Sequence, residues 1–201
     1  MAPHPISSEP GAATARKAEL RRAALAARDA LDPEARRAAS AAITRILIDL
    51  PELKAARLVS AYWPIRSEVD PRAAVEAMLA RGQRAALPQV TPDGLVFRAW
   101  QAGDALVAGR FGLSEPDPGL PEVEPDAMIV PLAAFDRLGQ RIGYGAGYYD
   151  GAIARLSRDR PVVTVGVGFA AQEVERVPAE AHDRALRHVV TEAGPVVLRT
   201  A

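Results

Sequence analysis

The densest chemistry in this chain lies in one run, Phe135-Asp136-Arg137-Leu138-Gly139-Gln140-Arg141-Ile142-Gly143-Tyr144-Gly145-Ala146-Gly147-Tyr148-Tyr149-Asp150. Glycines at 143, 145 and 147 let the main chain approach a ligand closely and reach positive φ without steric cost. Their N–H groups, together with the N-terminus of a following helix, can cradle an anion such as a phosphate, and Arg137 and Arg141 flank the run. The spacing is neither the dinucleotide fingerprint G-x-G-x-x-G nor a Walker A loop, so Rossmann oxidoreductase and P-loop NTPase readings fail on their own motifs. Asp150 would fall in the first turn of the helix, where a carboxylate is favourable for the dipole alone. Beside a polyphosphate it would be repulsive unless a divalent cation lay between, which is how Mg²⁺ is held by carboxylates and phosphates together.

Two other groups could act with this run. Arg16 and Lys17 come early in the first expected helix, where cations oppose the macrodipole. Lys17, Arg21 and Arg28 form one stripe, and Lys17 and Arg21, four apart, can reach toward a single anion; a solvated charged face is the plain alternative. The segment from Tyr62 to Asp70 closes an expected strand, and its Glu68 can either hydrogen-bond a pterin-like ring edge or cap a helix. Trp63, Trp100 and Phe111 can stack on a planar ligand or fill the core. His182 makes no metal site by itself, because no second His stands at ligand spacing, and His4 and His188 do not change that.

The elements that must position these residues alternate in type. A first helix is expected from Thr14, with Leu20, Ala24, Ala27 and Leu31 as its apolar stripe. Asp32-Pro33-Glu34 supplies the cap, N1 proline and early acid of a second helix, which Pro51 ends. Strands are expected at 57–65, 85–90, 95–100, 127–135, 162–169, 188–191 and 196–199. Helices follow Asp70-Pro71, running to about Arg81, and span 148–156. The proline- and glycine-rich stretch 102–126 reads as a long ordered loop. The near-unbroken apolar run Ala127–Phe135 implies cover on both faces. The expected fold is a single-domain α/β layer structure with a mostly parallel central sheet flanked by helices.

Composition bounds the rest. The 201 residues carry 25 basic and 25 acidic side chains and no cysteine. Thiolate catalysis, thiolate metal sites and disulfides are excluded, and no global field favours nucleic acid. The apolar runs are too short for a bilayer helix. Residues 1–13, with three prolines, read as a mobile extension and not as a signal peptide, ahead of one functional unit at 14–201. A cytoplasmic monomer, with no nucleic-acid or membrane partner, is the expectation.

With these pieces in place, the chain resembles the 5-formyltetrahydrofolate cyclo-ligases over roughly residues 14 to 195. The resemblance rests on Lys17-x-x-Leu20-Arg21, the Tyr62–Asp70 stretch and Phe111-Gly112-Leu113-Ser114-Glu115-Pro116. It continues through the Ile129–Phe135 strand, Gly139-x-Arg141-x-Gly143-x-Gly145-x-Gly147-Tyr148-Tyr149-Asp150, and His182-Asp183 with Val190-Thr191-Glu192. It implies ATP-driven ring closure of 5-formyltetrahydrofolate to 5,10-methenyltetrahydrofolate, with ATP as co-substrate and Mg²⁺ as cofactor. It further implies that Lys17, Arg21, Arg141, Gly143, Tyr144, Gly145, Ala146, Gly147, Tyr148 and Tyr149 hold ATP. Lys17, Arg141 and Tyr148 would take part in catalysis, Asp150 and Asp183 would ligate Mg²⁺, and Trp63, Glu68, Phe111 and Tyr148 would line the reduced-folate site. Some members are basic where this chain has Tyr144 and Ala146. The rival readings are a sugar-phosphate isomerase or CoA-transferase-like enzyme, and a nucleotide- or folate-binding module without catalysis.

Overall fold

The computed structural model describes residues 10–199. Helix α1 (Pro10–Asp29) begins four residues before the expected Thr14, so residues 10–13 form its first turn; residues 1–9 of the proposed extension lie outside the described residues. The Asp32 carboxylate accepts from the Glu34 and Ala35 N–H groups and Pro33 occupies N1, so α2 (Pro33–Asp49) starts where its cap dictates. Pro51 does end that helix, and it also opens the one-turn α3 (Pro51–Ala55).

Strand β1 is only Leu58–Ser60; the remainder of the expected strand, through Ile65, leaves the sheet as extended chain. After it come α4 (Arg72–Ala80), β2 (Arg84–Thr91) and β3 (Gly94–Trp100). The 102–126 loop folds partly into a small hairpin, β4 (Leu106–Ala108) with β5 (Ser114–Pro116). The apolar run 127–135 divides into β6 (Ala127–Pro131) and β7 (Ala134–Phe135), and β7 pairs outside the main sheet with β8 (Arg141–Ile142). Helix α5 (Tyr148–Leu156) matches the expected bounds; β9 (Val163–Val167) and β10 (His188–Thr191) follow. The strand expected at 196–199 is absent. The last strand is β11 (Gly194–Pro195), and Pro195 cannot donate to a ladder.

The seven-stranded sheet has the order β11-β10-β9-β6-β1-β2-β3, parallel except for the two edge strands β3 and β11. Alternate residues serve opposite faces, as the period of two requires. Val59, Ala85, Leu87, Ala127 and Ile129 join Ile43 and Leu47 of α2 and Val75 and Met78 of α4. Leu58, Ala86, Met128 and Val130 join Ala152, Ile153 and Leu156 of α5. From β1 the chain winds outward first to β2 and β3, then in the other direction to β6, β9 and β10. The switch point therefore lies between β1 and β6, where open α/β sheets form a crevice at the carboxyl ends of their strands.

Candidate active site

Both chemical segments leave this crevice. The loop after β1 carries Glu68, while the chain after β6 makes the β7–β8 hairpin and then the glycine run. Asp136, with no solvent exposure, sets the hairpin turn: its carboxylate accepts from the N–H groups of Leu138, Gln140 and Val177 at 2.9, 3.0 and 2.9 Å. Three donors satisfy a buried carboxylate. Gly145 and Gly147 take φ values of 103° and 66°, conformations only glycine enters cheaply, and Gly147 caps α5 with no side-chain bond to its first-turn N–H groups. The helix thus offers donors and a positive dipole end toward the loop.

Helix α1 lies across this loop. Its Ala24 packs with Ala134, Ile142 and Val177, so the hairpin is the seat of the helix. The expected apolar stripe is broken at Ala27, which is exposed, and Arg28 on the cationic stripe is buried instead. Arg21 Nε donates to the Gly143 carbonyl at 2.7 Å, and a Cβ on Gly145 would stand 3.3 Å from Arg21 Nη2. Lys17 Nζ reaches Glu180 Oε2 and Asp183 Oδ2, both at 2.6 Å. Burial pulls the Lys17 ammonium down, but the hydrogen bonds it donates to Asp183 and Glu180, with their charges, outweigh it and leave it above its ordinary value. For Asp183 burial pulls upward, and the Lys17 hydrogen bond and the Glu180 N–H bring it below the usual carboxylate range. Arg16 and Arg137 do not join the site: they pair with Glu19 and Glu173 on the surface.

Arg141, its side chain 5% exposed, donates to Asp150 Oδ1 at 2.8 Å and to the Arg184 carbonyl. Asp150 Oδ1 also accepts from the Arg184 N–H at 3.0 Å, so Asp150 and Asp183 meet at one loop. Glu180, His182 and Asp183 present ligand atoms within 4.8 Å of one another. His182 is thus part of an acid-rich group that its lack of a second histidine had seemed to exclude. Each of Asp150 and Asp183 has one carboxylate oxygen engaged by a cation, and these hard oxygen donors suit Mg²⁺. A cavity of about 670 Å³ bounded by Ser157, Arg158, Asp183, Arg184 and Arg187 opens beside them.

The Glu68 side of the crevice is built differently. Glu68 Oε2 accepts from the Ile65 N–H at 2.9 Å, and the Tyr144 hydroxyl beside this carboxylate favours its ionised form. Burial pushes the Glu68 carboxyl above its ordinary value, and those two groups with the charges of Arg28 and Arg66 offset only part of it. Tyr62 is buried and donates to the Val69 carbonyl at 2.6 Å, which closes the 62–69 loop. Burial, then the Glu68 charge, pushes up the hydroxyls of Tyr62, Tyr144 and Tyr149. Trp63 stands edge-to-face with Trp100, centroids 6.0 Å apart, under the Arg72 guanidinium, so its ring is mainly a packing element. Tyr148 leans on the apolar cluster beneath α5; the side chain of Phe111 lies outside the described residues.

Sequence reading missed Glu180, Ser67 and the burial of Arg28. Only Arg28 carried a signal, its place on the Lys17–Arg21 stripe.

An open, mostly parallel sheet with a glycine loop, a cationic helix and a half-buried acid at its switch point defines an α/β protein with its chemical groups gathered at one crevice. Residues 13–192 match the model of the 5-formyltetrahydrofolate cyclo-ligase family. The chain is 37% identical over 154 residues, 71% of its own length and 78% of the relative's, to a 5-formyltetrahydrofolate cyclo-ligase of Mycolicibacterium smegmatis. It is 31% identical to that of Escherichia coli, covering 82% of this chain and 93% of the other. The solved 5,10-methenyltetrahydrofolate synthetase of Aquifex aeolicus superposes with a TM-score of 0.78 at 34% identity, over 92% and 94% of the two chains. The chain belongs to the 5-formyltetrahydrofolate cyclo-ligase family of enzymes. No helix among the described residues is long and apolar enough to cross a membrane.

Proposed function

We propose that this enzyme closes 5-formyltetrahydrofolate to 5,10-methenyltetrahydrofolate with consumption of ATP. In this reaction the formyl oxygen attacks the γ-phosphorus of ATP and ADP leaves. N10 then attacks the activated formyl carbon and gives up its proton, and the carbon–oxygen bond breaks to release phosphate. The observation that carries the reading is the meeting of Lys17 and Arg21 with the Gly143–Gly147 loop and Asp150 at the head of α5. Phosphoryl transfer depends chiefly on positioning and charge neutralisation, and those are the resources gathered here.

In this reading the N–H groups of residues 143–149, including Tyr144, Ala146 and Tyr149, cradle the triphosphate, and Arg21 and Arg141 border it. Lys17 exchanges the carboxylates of Glu180 and Asp183 for phosphate oxygens. Mg²⁺, held by Asp150 and Asp183, would neutralise phosphate charge. Glu68 accepts hydrogen bonds from the pterin ring edge, and Tyr148 borders the folate; Trp63 supports that side by packing on Trp100. Residues 14–201 act as one catalytic unit, monomeric and cytoplasmic.

The test is absorbance of the methenyl chromophore on mixing the protein with 5-formyltetrahydrofolate, Mg²⁺ and ATP. The expected result is a signal that requires all three. Binding of both ligands with no ATP-dependent signal would instead establish a module without catalysis.

A further inference from the structure

Arg28 sits in the last turn of α1 with 1% exposure. Its Nε donates to Ser67 Oγ at 3.0 Å and its Nη2 to the Tyr144 hydroxyl at 3.3 Å. Ser67 is bound in turn to Asp29, the next residue of α1. The third nitrogen, Nη1, is buried and has no hydrogen-bond partner among the described residues. A cation near a helix C-terminus is favourable to the dipole, but the dipole needs only proximity and no burial. Burying a guanidinium and leaving one nitrogen unused costs free energy on both counts. Asp29 also stands 3.7 Å from Arg28 Nε as its ion-pair partner, so the orientation of the group is set by Asp29, Ser67 and Tyr144, with one nitrogen left over.

Ser67 and Tyr144 border Glu68. The charged and titratable groups around that carboxylate are Arg28 with its partner Asp29 from α1, Arg36 and Arg37 from α2, Arg66 and Asp70 from its own loop, Tyr62 after β1, and Tyr144 and Tyr149 from the glycine run and α5. Arg66 is exposed and held at a φ of 52°. Arg28 is the buried cation beside Glu68, and its side chain ties α1 to both the 62–70 loop and the glycine run.

We propose that Arg28 is a positioning residue for the folate half of the site: fixed by Ser67 and Tyr144, its guanidinium holds the Tyr144 hydroxyl against Glu68 and sets the buried positive charge beside that carboxylate. The assignment rests on Glu68 being the folate-binding acid. Removing Arg28 withdraws a charge that favours the ionised Glu68 and frees Tyr144. Glu68 then takes up a proton at higher pH, and folate binding through a carboxylate fails there first.

The experiment compares wild type, Arg28→Gln, Arg28→Lys and Tyr144→Phe. It measures kcat/KM for 5-formyltetrahydrofolate against pH at saturating ATP, the KM for each substrate, and calorimetric binding of 5-formyltetrahydrofolate without nucleotide. Arg28→Gln is expected to raise the folate KM at least about tenfold, weaken calorimetric binding to match, and leave the ATP KM within about twofold. Its acid limb moves to higher pH, and Arg28→Lys returns most of that limb. A folded Arg28→Gln with the wild-type limb, or with equal losses toward both substrates and an unmoved limb, would assign Arg28 a purely structural role and overturn the proposal. Should that variant fail to fold, Tyr144→Phe decides, since it removes only the hydroxyl shared by Arg28 and Glu68. A raised limb supports the assignment and an unmoved one overturns it. Wild type that binds no 5-formyltetrahydrofolate overturns the Glu68 reading as well, whereas active wild type with an unchanged Arg28→Gln profile overturns the Arg28 assignment alone.

Discussion

Around the glycine loop, strong cations already hold anions: Lys17 has Glu180 and Asp183, and Arg141 has Asp150. Around Glu68 the arrangement is the reverse. The acid accepts from one N–H with the Tyr144 hydroxyl beside it, and its buried cationic neighbour, paired with Asp29 at 3.7 Å, keeps a donor unused. In the proposed reaction the first region would work by exchange, with incoming phosphate taking over the cations and a metal ion the carboxylates. The second is suited to recognition by groups already in place, where little has to move. Charge in a partly open site can be re-paired cheaply, whereas a buried acid is defined by the few dipoles built around it.

The contrast yields four tests, beginning with the largest expected effect. Asp150→Asn or Asp183→Asn should lower turnover about 100-fold to 1,000-fold, by the scale of removing one preorganised charge-stabilising group, and change the Mg²⁺ concentration dependence. Turnover measured against Mg²⁺ decides it; a wild-type Mg²⁺ curve for Asp150→Asn would leave Asp150 as the partner of Arg141 only. Arg21→Ala should raise the ATP KM about 10-fold to 100-fold, the range for a charge-assisted hydrogen bond, with the folate KM little altered. Equal change in both constants would erase the division between the two regions.

Gly145→Ala comes next, because it combines a φ of 103° with a Cβ 3.3 Å from Arg21 Nη2. Strain of about 1–3 kcal/mol should appear as a weaker ATP KM and a lower melting temperature, read by calorimetry. An unaffected ATP KM would show that the loop backbone does not need this conformation to bind. The smallest effect is in pH. Glu68 has its carboxyl raised by burial, so kcat/KM for the folate should fall on acidification at a pH above the ordinary glutamate range, while nucleotide binding lacks that limb. The sign for stability is opposite to that of a paired surface acid: ionising Glu68 in the fold is disfavoured, so it subtracts stability as pH rises through that window. A folate limb at the ordinary glutamate value would show Glu68 to be more solvated than this structure makes it.

Local signals made much of this legible. Asp32, Pro33 and Glu34 act within one turn, so the start of α2 needed no tertiary knowledge, and the bounds of α5 followed from glycine on one side and apolar spacing on the other. Shortened strands mark where the local signal failed: Ala61–Ile65 and Leu132–Phe135 are as apolar as true strands, but they leave the sheet to build the site.

The sequence by itself determined the α/β alternation and the glycine loop between β8 and α5. It does so because propensity, capping and periodicity act over a few neighbours. Only the tertiary structure decided the pairings. Lys17 meets Glu180 and Asp183 across separations of 163 and 166 residues, and Arg21 meets Gly143 across 122. The burial of Arg28 was decided the same way. On an isolated helix Lys17, Arg21 and Arg28 are three equivalent solvated cations. The β7–β8 hairpin, fixed by Asp136, is what brings α1 down onto the glycine loop and gives one stripe three different sets of partners.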